Sequence, residues 1–380
     1  MRLKILHFTY DHPANPWCGG GGAIRTWAIN NILGQHHDIT LACGAFHKSL
    51  ETKFNNNFDN FKVKFLGKAN NYIESRLKFI YESTKINTKQ YDLIVEDFSS
   101  YAPVFPKLDN KQILISILHG YYGIKALRYR KFYGFLSIAC ENILLPQKSF
   151  VITVSKHLEN YVNKNTKVKT ILPGANIFFE NNKIKNFENN FKDTKKNYIL
   201  FLGRLDIWAK GLDILIKTWA ILNKQNHINM PLYLIGGGDL EQIKSLINKE
   251  NVKNIVLIGR VNHDEAMNFL QNAYFVCMPS RTEGSSLVLC EALALGKAII
   301  VSNIPVFKNS ILNYQDGVFF KSQDAQDLAN KIKELLDNPD LVKKISQNAL
   351  IKGKELSWEK SAQEHEDFYF SCINNKFFKV

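Results

Sequence analysis

Residues 281–297, RTEGSSLVLCEALALGK, hold two carboxylates around what reads as the start of a helix. Gly284, Ser285 and Ser286 are small residues suited to a cap, and the run Leu287, Val288, Leu289, Ala292, Leu293 behind them is apolar enough to be buried. A helix that opens there leaves its first N–H groups without intrahelical partners and carries about half a positive charge at that end. Such an end attracts a phosphate without a metal. Glu283 stands just before it and Glu291 about two turns on, where carboxylates can hold hydroxyl groups that a bare phosphate lacks. Two acids around an anion site suit a sugar phosphate, although a capped core helix with two surface glutamates has the same letters.

A second stretch, GRLDIWAKG at 203–211, places Arg204 and Lys210 just after the apolar, strand-like run 198–202. Both cations then belong to a strand's carboxyl end, the edge at which doubly wound sheets bind ligands. A planar Arg fork and a Lys point charge together suit a diphosphate, whereas either alone in a loop is usually a solvated surface charge.

With LIGGGDL at 234–240, LIGRV at 257–261 and CMPSRTEGSSLVLCEALALGKAIIVSNIP at 277–305, these stretches resemble the donor-binding half of the retaining glycosyltransferases of family 4. The resemblance implies the GT-B architecture, two Rossmann-like doubly wound α/β domains facing a cleft, with a last helix crossing back to the first. It implies a nucleoside diphosphate sugar as donor and no cofactor or metal. Glu283 and Glu291 match the family's acid pair, Arg204 and Lys210 its diphosphate cations, and Gly284, Ser285, Ser286 and Leu287 the helix start beside the phosphates. Gly21 and Gly22, in the run of four glycines at 19–22, match a glycine pair beside donor phosphates and acceptor. His119, in the pair His119-Gly120 that ends the apolar run ILISIL, matches the histidine that touches the transferred sugar. Three departures stand out: Ser285 and Ser286 replace the usual Phe-Gly, Ala298 replaces a proline, and Asn309 replaces a glutamate.

The rest of the chain agrees with two full domains. Its 380 residues are 45% hydrophobic, enough for two cores. Strand patterns at 3–8, 39–42, 63–66, 92–95, 112–118, 150–154 and 168–172 alternate with helical ones, and a second set near 198, 231, 254, 275 and 298 repeats the alternation. The predicted division is a first domain at 1–176 that binds the acceptor, an Asn- and Lys-rich linker at 177–196, a donor domain at 197–356, and a returning helix at 357–380.

Six cysteines show no CxxC spacing, and no apolar run approaches the roughly 18 residues of a membrane span. The chain opens directly on a strand pattern, so the expectation is a cytoplasmic protein, soluble or peripheral on the membrane's inner face. Up to Asn176 there are 23 Lys and Arg against 12 Asp and Glu, whereas from 177 onward the balance is 26 against 23. The excess charge therefore sits in the first domain, where no nucleic-acid motif accompanies it. There, 121–145 reads as one helix in which Lys125, Arg128, Arg130 and Lys131 alternate with Ile124, Leu127, Tyr129, Phe132 and Phe135. That segment suits an anionic membrane surface carrying a lipid-linked or lipopolysaccharide-type glycan acceptor, and equally an ordinary helix with its aromatics inside. An isomerase or phosphorylase of the same architecture, or a non-catalytic nucleotide-sugar-binding subunit, shares most of these features.

Overall fold

The computed structural model describes residues 1–15, 17, 20–46, 60–67, 71–130, 134–175, 198–226 and 228–377, with main chain only at 129–130 and 375–377. Residues 177–196 and Lys131 lie outside these. The chain forms two compact units, Met1–Gly174 with Trp358–Val380, and Ala175–Ser357.

The first unit is built on seven strands, β1 Lys4–Thr9, β2 Asp38–Gly44, β3 Lys62–Leu66, β4 Leu93–Phe98, β5 Leu114–Leu118, β6 Phe150–Thr153 and β7 Lys167–Thr170. They pair in parallel in the order β3-β2-β1-β4-β5-β6-β7. The second unit has six, β8 Ile199–Leu202, β9 Leu232–Ile235, β10 Ile255–Gly259, β11 Val276–Met278, β12 Ile299–Ser302 and β13 Val318–Phe320, in the order β10-β9-β8-β11-β12-β13. Parallel strands covered on both faces must be apolar throughout, and Ile199–Leu202 and Ile299–Ser302 are buried at every position. In each sheet the strand order reverses beside the first strand, between β1 and β4 and between β8 and β11. The strand ends around these switch points leave a crevice for ligands.

Helices cover both sheets: α1 Gly21–Leu33, α2 Tyr72–Ser83, α3 Lys125–Arg130 and α4 Gly134–Leu144 in the first unit, then α5 Leu212–Lys224, α6 Leu240–Lys249, α7 His263–Asn272, α8 Leu287–Ala294, α9 Pro305–Lys308, α10 Ala325–Asp337 and α11 Pro339–Gly353 in the second. The last helix, α12 Trp358–Phe377, returns to the first unit, where Ala362, Phe368, Tyr369 and Cys372 share a core with Ile5, Ile29 and Leu33. In the second unit Trp219 of α5, fully buried, packs in one core with Phe201, Phe275 and Ile300.

Two sequence expectations change. The segment 121–145 is not one helix: α3 and α4 are separate and packed together, and an added Cβ at Gly134 would fall 2.5 Å from the Ala126 carbonyl oxygen. Gly134 thus lets the second helix lie against the first. The second sheet also gains β13, three residues long and too short for a period to show in sequence.

Candidate functional site

In the second unit, the loop leaving β8 is pinned to the end of β11. Gly211 takes a left-handed conformation, φ +69°, and a Cβ there would fall 2.0 Å from the Pro279 carbonyl oxygen, so only glycine fits. The Arg281 N–H donates to the Ala209 carbonyl at 2.9 Å. The Arg281 guanidinium grips Asp213 with two bonds of 2.7 Å and donates to the Trp208 carbonyl, which fastens the loop from outside.

These contacts set Lys210 against Glu283, with Nζ 2.6 Å from Oε1. Ser280 donates its hydroxyl to the same oxygen at 2.7 Å. Glu283 is buried, and its Oε2 has no partner among the described residues. The pair is thus a fixed carboxylate with one oxygen left for a hydroxyl, beside a cation able to share itself with an incoming anion. Arg204 is not drawn into it; its side chain is 66% exposed and stands 3.4 Å from Asp206.

Helix α8 starts where the sequence places it, capped by Ser286, whose hydroxyl oxygen accepts from the Leu289 N–H at 3.3 Å. Because that oxygen is a cap, the anion-attracting groups at this end are the Ser286 O–H and the backbone N–H groups of the first turn, with Gly284, Ser285 and Leu287 flanking them. Glu291, on the same helix, has a carboxyl pushed up to about 7 by burial, and no described residue bonds to it. By exposed surface Glu291 is half-buried, so its carboxyl is open to a hydrogen bond that the fold does not supply.

The glycine run after β9 has a packing role. A Cβ at Gly236 would fall 1.7 Å from the Gly203 carbonyl oxygen, and one at Gly238 2.6 Å from that of Leu205. The loops that leave β8 and β9 run in backbone contact, and this close approach carries Arg204 along the sheet edge.

In the first unit α1 begins at Gly21, and a Cβ on Gly22 would lie 3.5 Å from His119 Nδ1 and 3.9 Å from Asp11 Oδ2. Behind His119 stands Asp97, which the sequence reading passed over. Its Oδ1 is 2.8 Å from His119 Nε2 and 3.3 Å from His7 Nε2, and Thr26 donates its hydroxyl to Oδ2 at 2.7 Å. Asn30 orders the cluster: its amide nitrogen donates to the Thr26 carbonyl and, at 2.9 Å, to His7 Nδ1, so His7 carries its proton on Nε2 and donates to Asp97. Asp97 likewise draws the His119 proton to Nε2 and leaves Nδ1 facing Gly22 as an acceptor. Burial works against the Asp97 carboxylate, but the two rings, by attraction and by hydrogen bond, hold it well below its usual value. Two acids in the strand LIVEDF were the only sign of it in sequence, and no spacing tied them to a histidine 22 residues on.

Gly21, Gly22 and His119 thus belong to the first unit, and Arg204, Lys210, Glu283 and Glu291 to the second. Lys125 and Arg128 lie exposed on α3, which Arg130 ends. Among the described residues no group of three His, Cys, Asp or Glu forms a metal cluster.

Residues 182–351 match the family described as Glycosyl transferases group 1. This part of the chain is a glycosyl transferases group 1 domain. An uncharacterized glycosyltransferase of Methanocaldococcus jannaschii is 31% identical over 211 residues, 55% of this chain and 56% of that one. The N,N'-diacetylbacillosaminyl-diphospho-undecaprenol alpha-1,3-N-acetylgalactosaminyltransferase of Campylobacter jejuni is 28% identical over 200 residues, 52% of this chain and 51% of that one. The chain thus spans about half the length of these two curated relatives. The crystal structure of WaaG, a glycosyltransferase involved in lipopolysaccharide biosynthesis, superposes with a TM-score of 0.73 at 15% identity, over 96% of this chain and 98% of that one. The fold is GT-B.

Two consequences are measurable. Asp97 has a folded-state pKa below its unfolded one, so the stability it confers is full above about pH 4 and lost as pH falls toward the folded value. Asp97→Asn is expected to lower the unfolding free energy at pH 7 by about 1.5–3 kcal/mol, the worth of hydrogen bonds to a charged group. Urea melts should show that difference shrinking below about pH 4, and a constant difference would count against the assignment. For Glu291 of the group 1 domain the sign is opposite. Its folded value, about 7, lies above the unfolded one, so the wild-type protein loses stability as pH rises from about 4.5 to 7. Glu291→Gln should be more stable than wild type at pH 8, by at most about 3 kcal/mol, and no more stable at pH 4. Equal melting temperatures at pH 8 would show that Glu291 ionises in the fold without cost.

Proposed function

We propose that this chain is a retaining glycosyltransferase that moves a sugar from a nucleoside diphosphate sugar to a glycan or lipid-linked acceptor in the synthesis of cell-surface polysaccharide or lipopolysaccharide. The observation that carries the reading is the Lys210–Glu283 pair at the switch point of the second sheet, close in sequence to the start of α8. A cation, a helix start and a half-satisfied carboxylate are the groups needed to hold an anion that bears hydroxyls.

As the glycosidic bond breaks, negative charge grows on the diphosphate. Lys210, Arg204 and the first-turn N–H groups of α8 stabilise it, in the role that a metal ion plays elsewhere. Glu283 offers Oε2 to a sugar hydroxyl while Lys210 and Ser280 hold Oε1. Glu291 accepts from the ribose hydroxyls, and those bonds favour its ionised form. By the resemblance, Gly21 and Gly22 are assigned to the donor phosphates and His119 to the transferred sugar. The acceptor's proton passes to the departing phosphate oxygen, which gains basicity as the bond breaks.

The names of the relatives fit this reading: one acts on a diphospho-undecaprenol and another takes part in lipopolysaccharide biosynthesis. The first half of the chain carries the excess charge, with Lys125, Arg128, Arg130 and Lys131 in it, and this supports the reading of an acceptor at an anionic membrane surface, on the inner face of the cytoplasmic membrane. Each cation near such a surface contributes about 1 kcal/mol.

Arg204→Ala is expected to raise the barrier of sugar transfer by about 2–4 kcal/mol, the range for removing one preorganised donor, with the thermal melt unchanged. Near wild-type turnover in that variant, measured by mass spectrometry over a panel of nucleotide sugars, would remove Arg204 from the reaction. In the same assay transfer should persist in EDTA. Loss of activity that Mg²⁺ restores would mean that a metal stabilises the leaving group.

A further inference from the structure

Arg76 of α2 sets its guanidinium among aromatic rings. Its Cζ lies 4.4 Å from the centroid of the Tyr10 ring, 4.4 Å from that of Tyr72 and 5.7 Å from that of Tyr101. Ring faces attract a cation, but they offer no oxygen to its N–H groups. Nε and Nη1 of Arg76 are shut off from solvent and bond to no described residue. No described acid forms an ion pair with it: on the same helix Glu74 pairs with Lys78, and the Glu82 carboxylate takes the Gly67 N–H. A guanidinium cannot give up its charge, so donors left unsatisfied in this way cost free energy that an anion would recover. The residue as a whole is half-buried and not sealed.

The position of the cage matters as much as its charge. β1 and β4 are neighbours at the switch point of the first sheet. Tyr10 directly follows β1, which ends at Thr9, and Tyr101 lies just past β4, which ends at Phe98. The cage therefore belongs to the crevice edge of its own sheet. It is also continuous with residues around His119. Tyr10 precedes Asp11, and a Cβ on Gly22 would lie 3.9 Å from Asp11 Oδ2 and 3.5 Å from His119 Nδ1. On the other side Tyr101 meets Tyr122 edge to face, ring centroids 5.5 Å apart. Tyr122 is in the loop that follows His119, and Glu141 fixes that loop by accepting the Tyr122 and Gly123 N–H groups at 2.9 and 2.8 Å.

We propose that Arg76 binds the carboxylate of an acidic sugar, of the hexuronic acid class, in the acceptor. This deepens the transferase reading above and rests on it for the acceptor's part in the reaction. With rings against the guanidinium, its rim is what remains for a ligand. A carboxylate is planar and pairs with that rim in its own plane through two parallel bonds. A tetrahedral phosphate holds oxygens above and below that plane, where the Tyr10 and Tyr72 rings stand. Tyrosines also suit the rest of a sugar, with an apolar face for the C–H side of a pyranose and a polar tip for its hydroxyls. A neutral sugar would leave the Arg76 donors unpaired, and a site built to pair its polar groups rejects an analogue that cannot.

Saturation-transfer NMR titrations of the whole chain with methyl β-glucuronide, methyl β-glucoside and glucose 6-phosphate test this, on wild type, Arg76→Gln and Arg76→Lys. Wild type is expected to bind the glucuronide about tenfold or more tighter than the glucoside, as hydrogen bonds to a charged group imply. Arg76→Gln should abolish that preference and leave binding of the glucoside and of nucleoside diphosphate unchanged. Arg76→Lys keeps a cation among the rings but loses the fork, so it should lose most of the preference, and it carries the test if the Gln variant melts low. Equal binding of glucuronide and glucoside by wild type, or no glucuronide binding at all, overturns the proposal. A preference that survives in both variants does the same, because the carboxylate then sits elsewhere. Glucose 6-phosphate binding tighter than the glucuronide, and lost with Arg76, would make this a phosphate site and overturn the carboxylate. Sugar transfer by a wild-type protein without the preference would remove the acidic acceptor and leave the transferase reading. A preference lost with Arg76, in a protein that turns over no nucleotide sugar, would keep the site and remove that reading.

Discussion

The second unit depends on one close approach, the Gly211 backbone against the Pro279 carbonyl. The loop that leaves β8 would otherwise swing free at the sheet edge, and Lys210 would be a solvated cation. Held there, with Arg281 and Asp213 clamping the loop from outside, Lys210 meets a carboxylate that is buried and already holds a hydroxyl. A buried charge left without its partner costs several kcal/mol, so the pair and the loop hold each other in place. The edge is thereby fixed by the fold itself, which is the condition for charge stabilisation without reorganisation.

Each unit holds buried ionisable groups whose costs its own fold must offset. Glu291 is held where burial resists its ionisation, and Asp97 is held ionised only by the rings and the hydroxyl around it. Arg25 is fully buried, its guanidinium reaching the Ile171 carbonyl and His365 of α12, and burial lowers its pKa to about 10. His365, buried with it, is pushed well below the ordinary histidine value by burial and by that cation. Asp97, Arg25 and His365 cluster where α1, α12 and the ends of β1 and β4 meet. The returning helix therefore does more than add apolar area: it closes a polar interior that supports the His119 side of the first sheet.

Much of this was legible in the letters. Long buried strands announce themselves as apolar runs, and the capped start of α8 followed from Ser286 and the leucines behind it. What was not legible depends on distance along the chain. Lys210 and Glu283 are 73 residues apart, and nothing in either neighbourhood says that they touch. Asp97 looked like one of two acids in a strand until His7, Thr26 and His119 converged on it. The division of 121–145 into two helices turns on the close seat of Gly134 against Ala126, a tertiary contact that overrides a continuous helical pattern. β13 is a run of three residues that becomes a strand only because β12 offers an edge. The stretch 177–196 lies outside the described residues.

Both units pair cations with nearby acids, but they differ in net charge, and that difference bears on what each can attract. In the second, cations are matched close by: Lys210 with Glu283, Arg281 with Asp213, Lys352 with Asp316. From residue 177 on, acids nearly balance bases, so its field is short-ranged and acts on what is already seated at the strand ends. The first half of the chain has almost twice as many bases as acids, and no internal pairing can neutralise that excess. Its field reaches about one Debye length, roughly 8 Å at physiological salt, and draws anionic partners from outside. A small donor needs the first kind of site, in which a few fixed charges select it. The second kind works by many weak attractions that add along a face, and it belongs to the first half of the chain.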